Sequence, residues 1–165
     1  ICVEYGATFD ASDLQYRKQN NLISTYYVYC STKFPNVFTC SEPAEAVYIS
    51  WYAVAAGYDG FLRWAYNSWP EKPLEDSRFR TWPAGDTYIV YPGNRSSIRF
   101  ERLREGIQDA EKIRILRDKF KKASDTEKLN ILENEISRFN VTGEPAALCS
   151  AMVDNAKQVL EELSR

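Results

Sequence analysis

Histidine is missing from all 165 residues. Its absence removes Ser-His and Cys-His catalytic pairs, imidazole general bases and every His-containing zinc site. Only 4 cysteines are present, at positions 2, 30, 40 and 149 with no CxxC spacing, so no metal centre is expected. Cys30 and Cys40 are spaced to bridge a loop, yet spacing does not fix connectivity, and free thiols are the expected state. A charge excess of one sign is lacking too. The net charge of −2 lacks the basic surplus of a dedicated nucleic-acid binder, so no nucleic-acid partner is expected. The longest nearly apolar stretch, Ala44 to Tyr58, is interrupted by Glu45 and Ser50. It falls short of the roughly 20 residues of a spanning helix, so no membrane span is expected. Glycine-rich phosphate loops, GxSxG and EF-hand patterns are absent, and no cofactor is expected. At 165 residues the chain is too short for a complete eight-fold β/α barrel, which takes about 250. It opens with neither Met nor a basic n-region, and reads as a piece of a longer polypeptide with its localisation open.

What is present divides near Pro92. All 4 Trp lie between Trp51 and Trp82, and all 11 Tyr precede Pro92. Beyond it the aromatics are Phe100, Phe120 and Phe139, amid dense mixed charge. In the first part, Ile1 to Tyr5 is β-prone, and Ser12 or Asp13 can cap a helix running to about Asn20. Thr25 to Cys30 is rich in β-branched and aromatic residues and reads as a strand. Pro43 suits the first turn of a helix over Ala44 to Ala56, and Gly57 marks its end. Asp59-Gly60 then turns into a strand from Phe61 to Asn67. Strand, helix, strand in this order is the grammar of parallel βαβ pairing.

A long loop from Ser68 to Gly93 follows, in which Thr87 to Tyr91 could add a strand. Loops of this length are often functional. The last part reads as three helices. Ile98, Leu103, Ile107, Ile113, Leu116 and Phe120 line the first, and Ser124-Asp-Thr-Glu127 is a capping box for the second. Leu129, Leu132, Ile136 and Phe139 line that second helix, Gly143 and Pro145 end it, and Cys149, Met152, Ala156, Leu160 and Leu163 line the third. These stripes read as core, with a solvated charged face between them.

Glu42 and Glu45 fit a helix N-terminus, where acids complement the dipole, and Asp59 fits a turn. The stretch Arg63 to Trp69 is more informative. Alternation places Arg63, Ala65 and Asn67 on one side and Leu62, Trp64 and Tyr66 on the other. The favoured assignment points Arg63 inward toward an anion such as Glu4 and packs Trp64 and Tyr66 against outer helices. The reverse puts Trp64 and Tyr66 inward. Under either, Asn67 and Trp69 emerge at the strand's carboxyl end, the functional face of parallel α/β barrels. Indole surface beside amide and carboxylate groups suits a sugar, whose C–H face packs on aromatics while its hydroxyls need oriented partners. Trp69, Asn67, Asp86, Trp82, Tyr88, Trp64 and Tyr66 are therefore the candidate substrate-binding residues.

The segments Tyr58-Asp-Gly-Phe-Leu-Arg-Trp-Ala-Tyr-Asn-Ser-Trp69, Asp76 to Tyr88, Tyr91-Pro-Gly93 and Ser97 to Asp109 resemble the carboxyl-terminal part of the catalytic domain of glycoside hydrolase family 123. Thr25 to Cys30, Pro35-Asn36 and Pro43 through Tyr52 resemble it as well, so the likeness covers about residues 1 to 117. The resemblance implies a β/α barrel that cleaves β-linked N-acetylgalactosaminides with retention. In that scheme the substrate's acetamido oxygen attacks the anomeric carbon while two consecutive acids, Asp-Glu, assist. No Asp-Glu dipeptide occurs in this chain, and Glu75-Asp76 is in reversed order within a loop. No catalytic residue is assigned, and the chain alone is expected to be inactive.

The resulting expectation is an α/β fold. A partial β/α (TIM-type) barrel segment of about three strands, residues 1–120, is followed by a helical appendage at 121–165. It would contribute walls of a site for an N-acetylhexosamine-containing glycan, with self-association through the open sheet edge, which is an aggregation hazard if bare. The other readings are a carbohydrate-binding module using Trp69, Trp82 and Tyr88, and a helical interaction domain over residues 97–165.

Overall fold

The computed structural model describes residues 1–7, 10–78, 81–140 and 148–165. Three short strands, β1 (Cys2–Glu4), β2 (Thr25–Tyr27) and β3 (Gly60–Leu62), pair in parallel in the order β1-β2-β3. Helix α1 (Ala11–Gln19) connects the first pair and α2 (Pro43–Ala55) the second. The carboxyl-terminal helices are α3 (Ile98–Ala123), α4 (Thr126–Ser137) and α5 (Cys149–Leu163). The architecture is α/β, as the βαβ grammar predicts, but the strands are shorter than their β-prone runs. Val28 to Cys30 and Arg63 to Asn67 leave the ladder. Thr87 to Tyr91 forms no strand, only single antiparallel bridges, Asn67 to Tyr88 and Tyr91 to Arg95.

Helix α2 organises the core. Every residue from Ala44 to Ala53 is buried, the mark of a helix covered all round. One side packs on the sheet, where Tyr26 meets Tyr52, Tyr58 and Phe61. Its other side receives α3, α4 and α5, with Trp51 stacked on Phe139 at 4.7 Å between ring centres. Its N-terminus is fixed by a reciprocal cap in which Glu42 and Glu45 each bond the other's first-turn backbone. The Glu45 carboxylate also accepts from the Asn36 backbone N–H at 2.9 Å. The helix-terminus reading of this acid pair therefore holds.

Gly106 lets α3 approach α2 closely. A Cβ there would lie 2.9 Å from the Val47 carbonyl oxygen. Nearby, Asp109 accepts from the Trp51 indole N–H at 3.2 Å and faces Lys157 of α5 at 3.6 Å. The expected 120/121 division falls inside α3, and α4 and α5 share the core of the α/β part.

Several local expectations are corrected. The cap of α1 is Asp10, whose carboxylate accepts from the Ser12 backbone, rather than Ser12 or Asp13. Ser124 closes α3 in a left-handed conformation, φ 55°, and α4 is capped by Asp125 instead. Ile98 and Ile107 are exposed, because the buried stripe of α3 runs through Arg99, Leu103, Gly106, Asp109, Ile113, Leu116 and Phe120 and each isoleucine lies one position off it. Met152 is half-buried beside a stripe of Cys149, Val153, Ala156, Leu160 and Leu163. Gly143 and Pro145 lie outside the described residues. All four cysteines are free, with only Cys149 buried. Among the described residues no helix is long and apolar enough to cross a membrane, and no cluster of ligating side chains could hold a metal ion.

Candidate functional site

The register sets which side chains reach the open face. Val3, Tyr26 and Phe61 are paired across the sheet and face α2, so Glu4, Tyr27 and Leu62 face away from it. Continuing the alternation, Tyr29 and Trp64 extend that open face beyond the carboxyl ends of β2 and β3. The favoured assignment fails for Leu62 and Trp64, which lie exposed on the face away from α2, while Tyr66, also exposed, keeps a ring contact with Phe100 of α3 and Arg63 and Ala65 are half-buried. Phe61 decides this, because its ring belongs against Tyr26 under α2.

Arg63 does find a buried anion, but it is Asp86 rather than Glu4. The pair sits at 2.9 Å with both side chains nearly inaccessible. Arg63 also donates to the Asp86 carbonyl, so one guanidinium ties the carboxylate and the backbone of Asp86 to the segment that follows β3. Burial draws the guanidinium's pKa down, and Asp86 opposes the shift. Asp86 Oδ1 lies 3.4 Å from the Trp64 indole nitrogen, and its Oδ2 has no partner among the described residues. Glu4 instead engages the Tyr29 hydroxyl, which raises the phenol's pKa.

The loop that carries Asp86 is held from behind. Gly85 has φ +79°, and a Cβ there would lie 2.6 Å from Arg99 Nη1. That nitrogen donates to the carbonyls of Val37, Gly85 and Tyr88. Arg99 thus staples the long loop to the segment after β2.

Two separate hollows result. Trp64 and Trp82, whose rings are 5.4 Å apart, form one with Tyr29, Cys30 and Asp86 at the carboxyl ends of β2 and β3, about 260 Å³ in volume. The second, about 330 Å³, is a groove holding Tyr66, Asn67 and Trp69 together with Tyr91, Asn94 and Arg95. Trp69 is 38% exposed at its rim. Of the seven candidates, Trp64, Trp82 and Asp86 share the first hollow, and Tyr66, Asn67 and Trp69 share the second. Tyr88 has no exposed surface and backs the loop beneath Arg99, so its place among ligand-contacting residues is withdrawn. Its phenol is pushed up to about 12, chiefly by burial. Tyr29 and Cys30 were missed, although their place just after a parallel strand was the signal available.

Parallel strands with helices between them, and a hollow beyond their carboxyl ends, define the class, an α/β protein whose candidate site lies at the strand ends. Over residues 1–116 the chain matches the glycoside hydrolase 123 catalytic domain, and it belongs to that family. It is similar in structure to a family 123 glycoside hydrolase from Clostridium perfringens, described in connection with glycolipid glycan hydrolysis. The TM-score is 0.84 and the identity 25%, with 100% of this chain and 32% of that one covered. The chain therefore spans about a third of that relative's length. No curated protein matches the chain.

Proposed function

We propose that this chain supplies the carboxyl-terminal strands of a β/α-barrel glycoside hydrolase and one wall of its sugar pocket, the hollow of Trp64, Trp82 and Asp86. The observation that carries this reading is the pairing of two tilted indoles with a buried carboxylate at the strand ends. The indoles offer apolar faces to a pyranose, and Asp86, which has no exposed surface, holds Arg63 and the Trp64 indole in place behind them rather than touching the sugar. By family likeness the substrate is a β-linked N-acetylgalactosaminide, cleaved with help from its own acetamido group. The consecutive acids that scheme needs are absent from this sequence. The chain alone binds and does not cleave.

The uncovered sheet face adds a second part to the reading. Leu62 and Trp64 are exposed on it, and among the described residues β1 and β3 each have an unpaired edge. The isolated chain covers that face by self-association. The test is a titration of the purified chain with N-acetylgalactosamine followed by Trp fluorescence, alongside an assay with an aryl N-acetyl-β-galactosaminide. Saturable binding that Trp64→Ala and Trp82→Ala abolish, with no hydrolysis, is expected. Hydrolysis by the chain alone, or binding indifferent to both substitutions, overturns the reading.

A further inference from the structure

We propose that the groove of Tyr66, Trp69 and Tyr91 is a second carbohydrate subsite, one that takes an acidic pyranose such as a uronic acid unit. It rests on the preceding reading only in that the chain handles glycans. The groove shares no lining residue with the Trp64 hollow. Its volume of about 330 Å³ is at the low end for small-molecule sites, which suits a single ring.

The aromatic wall is fixed in advance. The Trp69 indole N–H donates to the Val90 carbonyl at 2.8 Å, which spends its polar atom and orients the ring. Tyr66 stands edge-on to Phe100, and Tyr91 edge-on to Tyr88. A pyranose stacked here costs little side-chain ordering.

The polar groups set the class of sugar. The side-chain amides of Asn67 and Asn94 have no hydrogen-bond partner among the described residues. Arg95 Nη1 donates to the Pro92 carbonyl at 2.8 Å, and the guanidinium forms no ion pair among the described residues. The turn beneath it is pinned by the Tyr91 to Arg95 bridge and by left-handed Gly93 and Asn94. No Asp or Glu lines the groove. Glu101 bonds the lining Ser96 hydroxyl but pairs with Arg104, so the anchored Arg95 guanidinium keeps N–H groups to spare for the planar carboxylate of a uronic acid.

The experiment titrates the purified full chain with methyl β-glucuronide and methyl β-galactoside at low ionic strength, read by Trp fluorescence and saturation-transfer NMR. The glucuronide is expected to bind about tenfold more tightly, the increment of one charge-assisted contact. Arg95→Gln brings the two affinities together, and Trp69→Ala abolishes both. Trp69→Phe, which keeps a ring, retains part of the binding and guards against a folding defect. Absence of saturable glucuronide binding overturns the proposal. So does equal affinity for the two sugars in the unsubstituted chain, or loss in Trp64→Ala with Trp69→Ala intact. The N-acetylgalactosamine titration of the Trp64 hollow reads the other site separately, so each can fail without the other.

Discussion

On one face of the sheet Tyr26 and Val28 lie under α2 with no exposed surface, while Leu62 and Trp64 on the other are 50% and 44% exposed. Both sets come from runs dense in large apolar residues. The helix-facing set meets a largely apolar α2 that is itself backed by α3 to α5, so its surface is withdrawn from water on both sides of the helix. The opposite face has no second layer among the described residues. Aromatic content marks out sheet residues but does not say which of them a layer will cover. The bare set is the one that extends to the carboxyl ends and into the candidate site.

The sharpest way to break this comparison is to truncate one indole from each side. Trp51→Ala removes a fully buried ring and leaves Asp109 without its donor, so a loss of about 3–5 kcal/mol is expected in chemical denaturation. Trp64→Ala, on the exposed side, should cost under about 1 kcal/mol at protein concentrations low enough to keep the chain monomeric. Similar losses from both under those conditions would mean that the open face is covered within the monomer.

Arg63→Ala tests the junction between the two sides, since it leaves Asp86 buried without its cation. About 3 kcal/mol is expected from the midpoint shift, because an uncompensated buried charge is worse than no pair. Gly106→Ala forces a methyl group against the Val47 carbonyl, and about 2 kcal/mol should be lost even though alanine is the better helix former. A neutral or stabilising result would show that the α2–α3 contact has slack.

A smaller, pH-dependent effect belongs to Asp109. Burial raises its carboxyl above the ordinary 3.8, with Trp51 and Lys157 opposing. A carboxyl whose folded pKa is raised binds its proton more tightly when folded, so its contribution is most favourable at low pH. That contribution is lost as pH rises from the unfolded value through the folded one. Asp109→Asn keeps an acceptor for the indole but cannot ionise. The difference in Tm between this variant and the parent should therefore move in the variant's favour as pH rises above about 4. A difference that is flat or falls with pH would contradict the raised value.

Thiol labelling perturbs the comparison least. Cys2 and Cys40 are exposed, whereas burial pushes the Cys149 thiol up to about 12. At pH 8 Cys2 and Cys40 should react promptly with an aromatic disulfide reagent, and Cys149 only at the rate of unfolding. Early modification of Cys149 would show that α5 detaches readily.

Legibility along the chain follows the range of each interaction. Pro43 and Gly57 bracket α2 because they act through local backbone geometry, and the stripe of Leu132, Ile136 and Phe139 needs only the helical period. Ser124 misled for a related reason. The same residue type caps one helix or closes the previous one, and the left-handed turn between them selects the second role. Gly106, a glycine inside a helical pattern, was a signal open to reading, since such positions often mark close packing. Asp86 was legible as a polar residue in a candidate loop, but its partner Arg63 is 23 positions away and was assigned to Glu4.

By itself the amino-acid order determined the parallel α/β grammar, the central apolar helix, the charged helical region that follows, and the lack of histidine chemistry and of consecutive Asp-Glu acids. These depend on contacts within a turn or a strand, or on composition alone. Only the tertiary structure decided which face of β3 turns outward, how Arg63 pairs, and that Trp64 and Trp69 stand in separate hollows. Strand alternation is symmetric under exchange of its two faces, and that symmetry is broken only when Phe61 is placed against Tyr26 beneath α2.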